Sequence, residues 1–190
     1  MNLFTVAAIA ATLVVSVDQV AAAELVTNGG FETGNFSGWT ATGDLSATGV
    51  TGFGPINSGS YAAFLGPVYS DGYLAEDLAT SAGSSYTISF YLANTGGTPN
   101  DFSVSFDGNT LLSLTDAGQF DYTLYSFTAT ASTSLTTLQF SFFQAPGFYY
   151  LDDISVVGAA PVPLPASLPL LAVGIAGLGF AARRRAKHAV

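Results

Sequence analysis

The sequence contains no cysteine, one histidine and four lysine or arginine residues among 190. Without cysteine there are no disulfides and no thiolate chemistry, so a packed core alone must hold the fold. The basic residues are absent from nearly the whole chain: Arg183, Arg184, Arg185 and Lys187 are all of them, and His188 is the single histidine. Between Glu24 and Gly158 there is no Lys, Arg, His or Cys, yet 12 of the 13 acidic residues lie there. Histidine-based triads, cysteine–histidine pairs and zinc sites are therefore excluded from that stretch. A surface carrying only negative charge repels phosphates, so no nucleic acid partner is expected. It is compatible with neutral polysaccharide, and with divalent cations that bridge carboxylates.

Long apolar runs occur only at the two ends. Residues 1–23, MNLFTVAAIAATLVVSVDQVAAA, finish in three alanines. That pattern suits a secretory signal peptide cut by signal peptidase after Ala21 or Ala23, although no basic residue marks its start and Asp18 interrupts the run. At the other end, the 19 residues from Leu164 to Ala182 carry no charge. As a helix they would reach about 28 Å, close to the hydrocarbon thickness of a bilayer. Arg183, Arg184, Arg185 and Lys187 follow directly and hold that flank on the cytoplasmic side. A transmembrane helix over 164–182 with a basic anchor at 183–187 places everything before it outside the cell.

A Pro-rich signature precedes that run: Val162-Pro163-Leu164-Pro165-Ala166, then the apolar segment with Gly174, Gly177 and Gly179, then the arginines. The order resembles a PEP-CTERM sorting tail in its VPLPA variant, over the last 29 residues. The resemblance implies recognition by an exosortase, a membrane protease-transpeptidase of Gram-negative bacteria that make exopolysaccharide. It further implies cleavage near the signature, a transient inner-membrane anchor, and delivery to the cell surface or the extracellular matrix.

Between the ends, the pattern is of strands and turns. Tyr86, Ile88, Phe90 and Leu92 alternate with Thr87, Ser89 and Tyr91, and Phe102, Val104 and Phe106 alternate with Ser103 and Ser105. Asp107-Gly108 reads as a hairpin turn into Leu111 to Leu114. Leu25-Val26, Ser60 to Leu65, Tyr73 to Ala79, Tyr122 to Thr130, Leu135 to Phe143 and Phe148 to Val157 complete the set, and no amphipathic helix intervenes. About eight to ten short strands at this spacing predict an all-β fold, an antiparallel β-sandwich. The domains expected are a signal peptide at 1–23, a sandwich at 24–158, and a linker with the sorting tail at 159–190.

The sandwich carries a second resemblance. A strand followed by Asn28-Gly29-Gly30-Phe31-Glu32 and then Gly38-Trp39 opens the chain, and Tyr149-Tyr150-Leu151-Asp152-Asp153-Ile154-Ser155-Val156 closes it. Both ends resemble jelly-roll domains of the galactose-binding-like class, which include carbohydrate-binding modules. The resemblance implies that the first and last strands lie side by side and share a structural Ca²⁺. Glu32 and Asp152 would be its side-chain ligands, and Asn28 or Gly30 would add backbone oxygens. Strand parity puts Asp152 on the face of Ile154 and Val156, inward, where a carboxylate needs compensation. The alternative is that Asp152 accepts backbone N–H bonds while Glu32 is solvated.

Glycan binding needs aromatic rings to stack on sugar faces and polar groups to meet hydroxyls. Tyr91 lies on the Ser/Thr parity of its strand, and Tyr69 and Tyr73 flank Asp71-Gly72; Trp39 belongs to the opening motif and is expected in the core. Catalysis could rest only on carboxylate pairs, as in glycoside hydrolysis, and the candidates Glu76, Asp77, Asp101 and Asp107 form no motif. The reading is an exported, non-enzymatic surface or matrix protein that associates with exopolysaccharide. A structural or adhesive protein without glycan binding is the alternative, and a carboxylate hydrolase relative the third.

Overall fold

The alternation of apolar and hydroxyl-bearing residues becomes ten strands in the computed structural model, which describes residues 22–158. In order they are β1 Thr40–Gly43, β2 Thr48–Thr51, β3 Ala62–Leu65, β4 Gly72–Ala79 and β5 Ser85–Asn94. They continue with β6 Asn100–Phe106, β7 Asn109–Thr115, β8 Phe120–Thr130, β9 Leu135–Gln144 and β10 Tyr149–Gly158. Two five-stranded antiparallel sheets result: sheet I in the order β1-β4-β9-β6-β7 and sheet II in the order β2-β3-β10-β5-β8. The antiparallel sandwich expected from the sequence is the fold. The expected signal segment (apart from Ala22 and Ala23), the sorting signature, the span at 164–182 and the basic end lie outside the described residues. Among the described residues no helix is long and apolar enough to cross a membrane.

The inward parity of both sheets builds one aromatic core. Tyr86, Ile88, Phe90 and Leu92 of β5 face Phe102, Val104 and Phe106 of β6 and Leu138, Phe140 and Phe142 of β9, all buried. Phe90 meets Phe140 edge to face at 5.3 Å, and Phe102 lies 5.2 Å from Tyr149. Each fully buried ring contributes about 2–3 kcal/mol by removal from water, which is how a chain without disulfides stays folded. Trp39 is in this core, tilted against Phe31 and Phe140 at 6.1 and 5.9 Å. Asp107 and Gly108 both have positive φ, 55° and 73°, the two-residue turn that suits the twist between β6 and β7.

Two local readings change. The strand expected at Leu25-Val26 is a single bridge, Glu24 to Val157. Glu24 Oε1 accepts the N–H groups of Leu25, Val26 and Val156, so a side chain takes donors that a longer ladder would use. The segment still runs beside β10, as the resemblance implied: Leu25 N–H donates to Val156 O and Ile154 N–H to Gly29 O, each at 3.0 Å. The second change is in β10, where register slips between Asp152 and Ser155 and Asp153 adopts φ 49°. This bulge breaks the period of two. Tyr149 and Leu151 point inward before it, and Ile154 and Val156 after it, so Asp152 is on the outer parity opposite Tyr91 rather than the inner one.

Candidate functional site

The outer face of sheet I is rich in hydroxyls. In β4, Leu74, Glu76 and Leu78 are buried while Tyr73, Ala75, Asp77 and Ala79 face out; β9 turns Thr137, Gln139, Ser141 and Phe143 the same way. Pairing then sets Thr42, Tyr73, Ser141, Ser103 and Ser113 in one row across all five strands. Thr40, Ala75, Gln139, Ser105 and Thr110 form the next row. Four interstrand gaps of roughly 4.8 Å make each row about 19 Å long. Tyr73 is the aromatic in the first row, and Tyr69, 85 % exposed, stands on the loop that leads into β4. That loop is pinned to the end of β1: Tyr69 N–H donates to Asp44 Oδ2 at 2.9 Å. Rings that stack on C–H faces, with hydroxyls and an amide at their side, suit an extended neutral sugar chain.

Tyr91, the third aromatic read from the sequence, is outward and half-buried on β5, which belongs to sheet II. It shares no face with Tyr73. Among the carboxylates, Asp77 is outward and Glu76, its neighbour, inward, so the two are on opposite sides of the sheet. Asp107, at the β6–β7 turn, is held below the usual carboxyl range by the Ser132 hydroxyl and by the Ser132 N–H that it accepts, and Asp101 is exposed at the other end of β6.

Glu76 ties sheet I to the opening segment. Its Oε1 accepts Thr27 N–H at 2.9 Å, and its buried Oε2 has no partner among the described residues. Loss of hydration raises its carboxyl above the ordinary 4.5, with the Thr27 bonds opposing. A raised folded value means that the acid form stabilises the fold, fully below about pH 4.5 and progressively less as pH climbs. Glu76→Gln keeps the acceptor for Thr27 and removes the charge. It is expected to raise stability by about 1 kcal/mol at pH 7, a few degrees in Tm, and by nothing near pH 4. Urea melts of both proteins at the two pH values check this; a gap that does not change with pH would contradict it.

The residues assigned to calcium gather where the opening turn meets the bulge. Asn28 has φ 56° and its side chain staples the turn, donating to Asn35 O and Ser37 O and accepting from Thr33 N–H. An alanine methyl on Gly30 would stand 3.6 Å from Asp153 Oδ1, 3.7 Å from Glu32 Cγ and 3.8 Å from Asp152 Oδ1. Three acidic side chains thus converge over a position with no side chain of its own. All three are also clasped by one loop. Asp152 Oδ2 accepts Asn57 and Ser58 N–H at 2.9 and 3.2 Å, and Asp153 accepts the side chains of the same two residues at 2.7 Å. Glu32 accepts Ser60 and Tyr61 N–H, so it is not merely solvated. Asp152 is fully buried, and desolvation pushes its carboxyl up to about 6 against the N–H bonds that favour the anion. The donors are the hard oxygens calcium takes, and no basic residue exists in this stretch to neutralise them. Among the described residues, no three acidic groups have metal-binding spacing by themselves, so backbone oxygens would have to complete a site. Asp153 and the 57–61 clasp were not picked out from the sequence.

A family described as a carbohydrate binding domain matches residues 23–147, and one described as a PEP-CTERM protein-sorting motif matches residues 161–185. Exochitinase 1 of Streptomyces olivaceoviridis is 33 % identical over 150 residues, 77 % of this chain and 24 % of that protein. The chain thus spans about a quarter of the length of the curated relative it matches. TmCBM61 in complex with β-1,4-galactotriose is similar in structure, with TM-score 0.57 and 20 % identity over 72 % of this chain and 99 % of that one. The CBM22-1 xylan-binding domain of Paenibacillus barcinonensis Xyn10C has TM-score 0.54 and 19 % identity, over 75 % and 98 % of the two chains. At these identities the two structures speak for the fold. The sorting motif marks an exported protein with a membrane-anchored stage. With two thirds of its length matched, the chain belongs to the carbohydrate binding domain family and carries a PEP-CTERM sorting motif behind that domain.

Proposed function

We propose that this is an exported, exosortase-processed surface or matrix protein whose domain binds a neutral polysaccharide along the outer face of sheet I without acting on it. Residues 1–23 are its signal peptide, 24–158 the binding domain and 159–190 the linker and sorting tail. The observation that carries the reading is the row Thr42, Tyr73, Ser141, Ser103 and Ser113, an aromatic among hydroxyls in a stretch with no basic residue. Tyr73 and Tyr69 stack on sugar rings while Gln139 and the serines meet hydroxyls. The opposed directions of Glu76 and Asp77, and the engagement of Asp107 in a turn, support a binding role over hydrolysis. Xylan, β-1,4-galactan and chitin are the first polymers to try, since relatives of similar fold or sequence are named for these sugars.

Calcium belongs to the same proposal as a structural ion. Glu32 and Asp152 would hold it with backbone oxygens of Asn28 or Gly30, and it would fix the 57–61 loop against the opening turn. It supplies neutralisation of buried negative charge and takes no part in sugar contact.

The test is co-sedimentation of the full chain, solubilised in detergent, with each polymer and with exopolysaccharide of the producing cells. Retention is expected on at least one of them. Tyr69→Ala with Tyr73→Ala should weaken it at least tenfold, about 1.4 kcal/mol, with an unchanged far-UV spectrum. No retention, or retention that ignores both tyrosines, would leave a structural or adhesive protein instead.

A further inference from the structure

Sheet II has a cleft on its own outer side, on the sheet opposite the hydroxyl rows. It encloses about 320 Å³ between Tyr150 of β10, Tyr122 of β8, Pro55 of the loop before β3, and Gln119 and Asp121 at the start of β8, with Ala93 of β5 as its floor. Its walls are held. Tyr122 donates its hydroxyl to Pro55 O at 3.2 Å, which ties the loop to β8. Asn94, buried beside the floor, donates to Ala117 O and Gly118 O and so fixes the approach to Gln119. Gln144 Nε2 in turn donates to Asn94 Oδ1 at 2.7 Å, and Asn100 Nδ2 also reaches Ala117 O. The cleft is therefore built on a polar layer inside the sandwich rather than on a loose loop. Phe53, 88 % exposed, stands on the same loop two residues before Pro55.

The chemistry inside is two tyrosine rings, one exposed amide and one exposed carboxylate, with no basic group. Aromatic faces with acceptors and donors at the rim suit a neutral polyhydroxylated ligand. The volume sits at the small end of ligand sites, which run from about 300 to 1,000 Å³. A sheet face five strands wide takes the middle of a chain; a half-open cleft this small takes a chain end or a single branch sugar.

We propose that this cleft is a second glycan site, specific for a terminal or branch unit of one or two sugars, which makes the domain bivalent. The inference rests on the glycan reading of sheet I only for its consequence. Paired sheets pack about 10 Å apart, and the two sites face opposite ways, so one domain could join two polysaccharide chains. Joining chains is a matrix function that a single-face binder lacks.

Amide chemical-shift mapping of the ¹⁵N-labelled full chain in detergent separates the two sites. The probes are xylobiose, β-1,4-galactobiose and chitobiose. One probe is expected to move the amides of Thr95 and Gln119 to Tyr122 with a dissociation constant of their own, apart from shifts around Tyr73 and Ser141. Gln119→Ala with Asp121→Ala, both at exposed positions, should weaken the first set at least tenfold and leave the second within twofold. Tyr69→Ala with Tyr73→Ala should do the reverse. Shifts only around Tyr73, or a cleft set indifferent to Gln119 and Asp121, overturn the second site and leave the first standing. Shifts only at the cleft overturn the sheet I reading and keep this one; no shift with any of the three probes overturns it.

Discussion

Gly29→Ala is expected to leave the domain largely unfolded at 37 °C, whereas Gly30→Ala, one residue on, should melt within about 2 °C of the parent. The difference is geometric. A methyl on Gly29 would stand 2.0 Å from Ile154 O and 3.0 Å from its carbonyl carbon, both backbone atoms of β10. No rotamer relieves that contact, so the opening segment and β10 must part. Parting them loses the bonds from Ile154 N–H to Gly29 O and from Leu25 N–H to Val156 O, and uncovers Phe31, which is fully buried. Lost core packing and orphaned backbone groups together are expected to amount to at least 3–5 kcal/mol, comparable with the whole stability of many domains. On Gly30 the nearest atoms are 3.6–3.8 Å away, ordinary contact. Thermal melts followed by far-UV circular dichroism decide it; equal midpoints for the two variants would mean that the opening turn does not dock on β10 as described.

How far the sequence reached depended on whether a feature was local. The alternation in β5 and β6, the Asp107-Gly108 turn and the aromatic closing strand are written within a few residues, and all three are in the structure. β1 and β2, four residues each of Thr, Ala, Gly and Val, carry no alternation to read. Period two tells which way a side chain points but not which sheet it is on. Tyr91 and Tyr73 were both legible as candidates for the outside, and only strand order separates them. The same limit hid the row on sheet I. Ser103, Ser141 and Tyr73 meet because β9 lies between β4 and β6, an arrangement no window of sequence contains.

The acidic cluster was half legible for a different reason. The opening and closing motifs named Glu32 and Asp152, but the parity argument for Asp152 failed at the Asp153 bulge, where one added residue exchanges the faces. The donors that satisfy these carboxylates come from Asn57 to Tyr61, some 95 positions before Asp152 in the case of Asn57. In sequence that segment is only a Gly/Pro-rich loop. Most of these donors are backbone N–H groups, which carry no residue signature, and the Asn57 and Ser58 side chains meet Asp153 only once the chain is folded.

Asp152→Leu is expected to lower stability by about 3 kcal/mol, and Asp152→Asn by about half that. Leucine keeps the branch at Cγ but leaves the N–H groups of Asn57, Ser58 and Asp153 without an acceptor, at about 1–3 kcal/mol each, partly offset by the gain from burying an apolar side chain. Asparagine keeps one oxygen for them. The proposed calcium would add a second readout of opposite sign in pH. Without metal, the Asp152 carboxyl titrates at about 6 in the fold against an ordinary 3.8, so its acid form stabilises. That contribution is complete below about pH 3.8 and is lost as pH rises through about 6, so with EDTA this group makes the domain firmer on mild acidification. A calcium ion needs the ionised form, so its stabilisation must shrink as pH falls through the same range. Melts of the full chain with EDTA and with millimolar Ca²⁺ at pH 7 and pH 5 should therefore differ widely at the first and converge at the second. Asp152→Asn should lose the calcium increment at pH 7 while it remains folded. Wild-type melts that are the same with EDTA and Ca²⁺ at pH 7 would remove the metal. In that case the 57–61 loop alone compensates the buried carboxylate, and Asp152→Leu still measures how much that clasp contributes.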